Sequence, residues 1–404
     1  MSYLPLANIL HHKLRSALSA MGIAIGICML VTLSGLSRGS LYEIADRWEE
    51  VDAELIIYPE IWGRNLTTLS GSALPDRYGD KIAAEHSRLI ERVVPVFLWP
   101  IRLAGQDQTV VGVDPQNFNM LVGGRRLRQG RLFDPDGRFA GWLENTLLAP
   151  AGEDQEIVEI TKDQLADTDH NGLEMVIDTR LATAGGYRLG QKVFTANHHF
   201  TIVGIVPAGG LARAFMPRRT AQFLFGNGDI TKSTLMFIKL AGGGEPAAAA
   251  RKIKRPGTAV MQVDQYRGML KDKFGIMFTY VDAVNVVAMV IAFLFIMITL
   301  YTMVLQRTRE IAILKSSGAS NFFLIRQVWA ESMLLTAAGA AAGVALSFLA
   351  GWGIEACRPL LTVTITWWWI AVAAAAALLG AAASSLYPAW RATRIDMLEA
   401  LRFE

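Results

Sequence analysis

Apolar residues gather into four runs near the length a bilayer core demands, and the stretch between the first run and the second is patterned differently. The runs are 16–36 (SALSAMGIAIGICMLVTLSGL), 281–305 (VDAVNVVAMVIAFLFIMITLYTMVL), 328–354 (VWAESMLLTAAGAAAGVALSFLAGWGI) and 367–387 (WWWIAVAAAAALLGAAASSLY). Each predicts a transmembrane helix. Lys13 and Arg15 precede the first run as they would a signal peptide, yet its apolar stretch is longer than a signal core. LSGLSRGS also offers no small-residue cleavage site, so the run reads as a retained span.

Residues 38–280 hold no further span. Strand-like patterning marks 52–59, 108–114, 191–207 and 233–240, while 76–92 (DRYGDKIAAEHSRLIER) and 245–255 (EPAAAARKIKR) have helical spacing. The breaker AGGGEP at 241–246 and Gly185, Gly186 and Gly190 mark loops. The expected fold is therefore a membrane protein of four transmembrane α-helices with a large extracytoplasmic mixed α/β domain between the first and second. That domain reads as two lobes, its first and last portions pairing around an inserted middle.

Basic residues set the expected sidedness. Lys13 and Arg15 precede the first span, Arg307, Arg309, Lys315 and Arg326 lie between the second and third, and Arg391, Arg394 and Arg402 follow the fourth. Four crossings put all three groups on one side, which the positive-inside rule makes the cytoplasm. Both termini and the loop 306–327 are then cytoplasmic, and Trp367, Trp368 and Trp369 form an aromatic belt at the outer face. Gly22 with Gly26, and Gly339 with Gly343, stand four apart in apolar helices, a spacing that permits close helix packing.

Composition agrees: 52% of residues are hydrophobic and 19% charged, which departs from the soluble average. A net charge of +3 without a basic run argues against nucleic acid. Cys28 and Cys357 form neither a disulfide framework nor a metal cluster and read as small apolar fillers. The adjacent pairs His11–His12 and His198–His199 point to opposite faces on a strand and do not chelate. In DTDHNGLEMVID, Asp167, Asp169, Asn171, Gly172 and Asp178 fall at positions 1, 3, 5, 6 and 12 of a calcium-loop pattern. Position 12 is Asp where a bidentate Glu is usual, so a solvated acidic turn is preferred and no metal is expected. No nucleophile–histidine–acid arrangement is visible, so no catalytic residue is expected either.

The segment 307–320, RTREIAILKSSGAS, is a charged interruption between two apolar runs. With NFFLIRQVWAESMLL after it, it resembles the permease segment shared by the MacB, LolC/LolE and FtsX families of ABC transporter subunits, in which an REI motif and a GAS turn lead into the next span. The ending YPAWRATRIDMLEALRFE is similar to that family's C-terminal signature through Pro388, Ala389, Arg391, Ala392, Ala400, Leu401 and Arg402, with Met397 where the family has a second proline. LANILHHKLRSALSAMGIAIG matches the entry into the first span, and LGQKVFTANHHFTIVGIVP and MFIKLAGGGEPAAAARKIKR are similar to parts of a MacB-like periplasmic domain.

The resemblance implies a multi-pass subunit of the bacterial inner membrane. It divides the chain into an N-terminal helix and span (1–37), a periplasmic domain (38–280) and an FtsX-like permease domain (281–404) with a cytoplasmic coupling loop (306–327) and tail (388–404). It also implies an ABC ATPase partner carrying ATP and Mg, a second permease copy in a homodimer or heterodimer, and a periplasmic adaptor with an outer-membrane channel. This chain holds no Gly-Lys pair, hence no phosphate-cradling loop and no cofactor of its own. The ATPase-coupling residues are then Arg307, Arg309, Glu310, Ile311, Leu314, Lys315, Gly318, Ala319 and Ser320. A helix of that segment lying on membrane lipid is the competing reading. The function implied is export or extraction of a periplasmic or outer-leaflet substrate. A signalling subunit of the FtsX sort, acting on a cell-wall hydrolase, and an anchored outer-leaflet enzyme are the alternatives.

Overall fold

The computed structural model describes residues 13–62, 70–71, 73–134, 173–306, 313 and 317–393. In chain order the elements are α1 (Lys13–Glu49), β1 (Leu55–Pro59), β2 (Leu74–Pro75), α2 (Asp76–Glu85), β3 (Ile90–Leu103), β4 (Gln106–Val113), α3 (Phe118–Leu121) and β5 (Gln129–Gly130). Then come β6 (Glu174–Asp178), α4 (Thr179–Gly185), β7 (Lys192–Thr195), β8 (His198–Val206), β9 (Ala214–Pro217), α5 (Arg218–Phe225), β10 (Lys232–Ser233) and β11 (Leu235–Leu240). The chain continues through α6 (Pro246–Ile253), β12 (Thr258–Gln262), α7 (Tyr266–Lys273), α8 (Gly275–Gln306), α9 (Asn321–Cys357) and α10 (Trp367–Thr393). Two compact units result, Met1–Leu41 with Phe274–Glu404, and Tyr42–Lys273.

The first unit is made of long apolar helices, since lipid offers no partner for a backbone N–H or C=O and only internal hydrogen bonding satisfies them. Among the described residues three helices are long and apolar enough to cross a membrane, and up to four if the broken pair around Phe274 counts as one span. Ile23, Ile27, Leu30 and Val31 of α1 form its core with Ala340 of α9 and Ala373 and Ala381 of α10. Small residues on the facing helices let the backbones approach.

The second unit is an α/β domain. Its main sheet runs β12-β1-β11-β3-β4-β9-β6-β8-β5 with β7 paired to β8, and β2 and β10 pair separately. β3 joins the halves: Ile90–Val96 pairs with β11 and Phe97–Leu103 pairs with β4. Pairing is antiparallel except β4 with β9 and β6 with β8. β1 lies between β11 and β12, which bonds the first portion of the domain to the last. α2 and α6 cover this half through Ile82, Ala249 and Ile253, packed on Leu55, Ile57, Met236 and Ile238.

Two expectations are corrected. The helical spacing over 76–92 stops at Glu85, and Ile90 onward is strand. Ile90 pairs with Leu240 and Val93, Val94 and Val96 pair across to Ile238, Phe237 and Leu235, so a buried β-branched run decides the conformation against local periodicity. The strand-like stretch 191–207 is a hairpin, because Ala196 and Asn197 take positive φ of 50° and 65° and so make the mirror-type turn that matches strand twist.

Candidate transmission site

The last residues of the predicted coupling segment, 317–320, lead into α9. Gly318 has φ +91°, a left-handed conformation that glycine adopts without strain. Ser320 then caps α9, its side chain accepting from the Phe323 amide at 3.2 Å. Ala319, between them, is half-buried, while Gly318 and Ser320 are exposed. Arg307, Arg309, Glu310, Ile311, Leu314 and Lys315 lie outside the described residues. Phe323, Ile325 and Arg326 belong to α9 itself.

Deeper in the bundle, Gly339 and Gly343 of α9 face α1. A Cβ on Gly339 would stand 2.8 Å from Ile23 Cβ, and one on Gly343 would stand 2.7 Å from the Ala24 carbonyl oxygen. Gly26 lines a small apolar cavity with Ile23, Ile27, Leu30, Phe293 and Gly380. Gly22 lies on α1 one turn before it.

A polar cluster gathers on residues 34–40 of α1. Arg38 Nη2 donates to both oxygens of Asp282 on α8, at 3.0 and 3.2 Å. The Arg38 guanidinium lies 4.3 Å from the Trp369 ring centroid and 5.3 Å from that of Phe278. One turn away, Asn285 Nδ2 donates to Ser34 Oγ at 2.8 Å, both residues being buried. The α9–α10 connection rests on the same turns of α1: Thr364 N donates to Gly35 O at 3.1 Å and Ser40 Oγ to Thr362 O at 3.3 Å. A Cβ on Gly39 would meet Thr364 N at 2.7 Å, so only glycine admits that loop.

Inside the α/β unit the last turns of α1 are held on two sides. Trp48 stacks on Tyr266 of α7 at 4.3 Å and 12°, and Arg267 pairs with Asp46 and with Glu49, the latter at 2.9 Å. On the other side Glu43 Oε1 receives three arginines: Arg47 Nη2 at 2.5 Å, Arg180 Nη1 at 3.0 Å and Arg213 Nη2 at 3.2 Å. Asp178, 1% exposed, caps α4 by accepting from Leu181 N at 2.6 Å, and its second oxygen lies 4.0 Å from Arg47 Nη2. Burial pushes the Asp178 carboxyl above its ordinary range, offset in part by the Leu181 amide, Arg47 and Arg213. Burial likewise lowers Arg213, and Arg47 adds to that while Glu43 opposes it.

Of the calcium-pattern residues only Asp178 is described, in this arginine-rich setting, and Asp167, Asp169, Asn171 and Gly172 lie outside the described residues. Among the described residues no group of three or more His, Cys, Asp or Glu is placed to hold a metal. Sequence reasoning missed Arg38, Asp282, Asn285, Glu43 and Arg213. A usable signal existed for Asp282 and Asn285, since a charged or amide side chain within an apolar run, here 281–305, is a functional pointer.

The description "MacB-like periplasmic core domain" matches residues 16–255, and "FtsX-like permease C-terminal" matches 283–397. The macrolide export ATP-binding/permease protein MacB of Shewanella oneidensis is 26% identical over 430 residues, covering 97% of this chain and 59% of that protein. MacB of Neisseria gonorrhoeae is 24% identical over 382 residues, covering 84% and 51%. The uncharacterized ABC transporter permease YknZ of Bacillus subtilis is 22% identical over 428 residues, covering 99% and 98%. The chain thus spans about half the length of the MacB proteins it matches. The crystal structure of the periplasmic region of MacB from Actinobacillus actinomycetemcomitans overlaps 55% of this chain and 95% of its own, with TM-score 0.35 and 13% identity. A periplasmic core match over more than half the chain, followed by a permease match over apolar helices, leads to one conclusion: the chain belongs to the MacB-like and FtsX-like family of ABC transporter permeases.

Proposed function

We propose that this chain is the permease subunit of an ABC transporter whose ATPase is a separate protein, and that it converts ATP-driven motion at its cytoplasmic face into movement of its periplasmic domain. The observation that carries this is α1, one helix from Lys13 to Glu49. Its apolar part packs among the long helices, and its last turns are built into the α/β unit through Glu43, Arg47 and Trp48. A helix common to both units gives displacement a path from one to the other.

In this reading the chain crosses the inner membrane four times with both termini cytoplasmic and pairs with a second permease copy. The segment 307–320 docks on the ATPase, which holds the ATP and Mg, and the chain itself performs no catalysis. A large periplasmic domain suits export or extraction of a periplasmic or outer-leaflet substrate, handed on to an adaptor and outer-membrane channel. Substituting Glu310→Ala together with Lys315→Ala is expected to abolish co-purification of the ATPase while membrane insertion persists. Retention of the ATPase would refute the docking assignment. Activation of a cell-wall hydrolase without any exported compound would replace transport by signalling.

A further inference from the structure

We propose that Arg38 is a release latch at the outer ends of the spans, tying α1 to α8 and α10, and that its parting is a step of the cycle. This rests on the coupled-permease reading above.

Four contacts converge on residues 34–40 of α1: the Ser34–Asn285 hydrogen bond, the seating of Thr364 on Gly35, the Arg38–Asp282 pair and the bond from Ser40 to Thr362. Arg38 alone reaches two helices at once, α8 through Asp282 and Phe278 and α10 through Trp369. The flat guanidinium suits this, since its edge binds the carboxylate while its faces meet the rings.

Two features fit a contact built to open. Side-chain exposure is 21% for Arg38 and 51% for Asp282. The carboxylate therefore recovers water with little displacement, whereas a fully desolvated pair resists separation. In addition, Arg38 Nε, Ser37 Oγ and Asn285 Oδ1 are buried without a hydrogen-bond partner among the described residues. Separation of the helices hydrates these atoms, which offsets part of the cost of breaking the pair.

The test uses the full chain with its ATPase in lipid nanodiscs, with Cys28→Ala and Cys357→Ala to remove the native thiols and Ser34→Cys with Asn285→Cys to report the α1–α8 distance through a short thiol-bridging reagent. These reporter substitutions delete the Ser34–Asn285 bond and leave the Arg38–Asp282 pair as the polar tie between the two helices among the described residues. Without nucleotide, Arg38→Ala is expected to slow bridging about three-fold, the scale of one interhelical polar contact in a membrane. Arg38→Lys, which keeps the charge but not the flat stack, should fall between, and exchanging the pair by Arg38→Asp with Asp282→Arg should recover part of the rate. If Arg38→Ala does not assemble, the other two chains carry the comparison. Equal rates throughout overturn the latch.

With ATP held unhydrolysed, the chain with native Arg38 should bridge more slowly than without nucleotide, and the Arg38→Lys chain should change less. A complex that binds ATPase and ATP yet shows no change overturns the release step. A chain that binds no ATPase overturns the function proposed above instead, and the nucleotide-free rates still decide whether Arg38 ties the helices.

Discussion

The two units each hold a polar cluster, and they build them in opposite ways. In the α/β unit one carboxylate, Glu43, gathers Arg47, Arg180 and Arg213 with Asp178 beside them. In the helical unit one cation, Arg38, is shared between a single carboxylate and two aromatic rings. A domain surrounded by water draws on charges from strand, helix and loop, so a many-membered cluster forms where α1, the end of β6, α4 and the residue before β9 meet. A helical bundle presents mostly aliphatic surface to lipid, and uncompensated charge there is expensive, so ring faces replace further ions. The first cluster holds fast because removing one member strands the others, whereas the second has only one pair to break.

The largest expected effect follows directly. Glu43→Ala removes the shared acceptor and leaves three arginines crowded together, which predicts a loss of about 3 kcal/mol, read as a lowered unfolding midpoint of the solubilised protein. Glu43→Gln should recover part of it. A near-neutral Glu43→Ala would mean that the arginines reach water or other acceptors, and the contrast between the clusters would disappear.

Next is packing in the helical unit. Gly343→Leu places a side chain where even a Cβ stands 2.9 Å from Ile27 Cβ, and overpacking of this kind costs about 1–3 kcal/mol. Gly353 in the same helix, with nothing within 4 Å of its would-be Cβ, is the control: Gly353→Ala should be neutral or slightly stabilising in the same melt. Equal effects at both sites would show that α9 does not pack on α1 through these glycines.

Ser320→Ala removes the cap of α9 and should cost about 1 kcal/mol, seen as earlier hydrogen exchange at the Phe323 amide. Ser320→Asp should restore protection.

The smallest effect is a pH dependence. The folded carboxyl of Asp178 titrates above its unfolded value of 3.8, so its contribution to stability is fully present below that value and is lost as pH rises through the folded value. Asp178→Asn keeps a capping side chain and removes this loss. Its melting temperature relative to the native chain should therefore rise as pH climbs through that window. Asp229 behaves oppositely: Lys232 and Thr231 hold it at about 2, so its small contribution is present above 3.8 and fades as acid approaches that lower value. A flat Asp178→Asn difference would mean that the hub keeps this carboxyl near its ordinary value.

Much of the architecture was legible because its causes are local. Apolar runs near bilayer length mark helices whatever they touch, and β1, β4 and β11 announce themselves by short apolar runs bounded by turns. The first half of β3 was hidden because RLIER satisfies helical spacing, and only its pairing to β11 decides otherwise. The clusters were hidden for a related reason. Arg38 and Asp282 lie 244 positions apart and Arg213 and Glu43 170 apart, and no spacing rule links residues across such intervals. Asp178 was visible but ambiguous: its neighbours in sequence suggest a cation site, while its neighbours in space are arginines and an amide.

One strand sets how load crosses the α/β domain. β3 is 14 residues long, bonded along its first half to β11 and along its second to β4, so the two halves share a single backbone with no loop between them. Tension directed along that strand acts on each ladder lengthwise, and its hydrogen bonds resist together as the stitches of a lap seam do. A pull at right angles would open them one after another. The domain is therefore stiff along β3 and compliant across it, and the direction in which a partner tugs decides whether it behaves as a strut or as a zip.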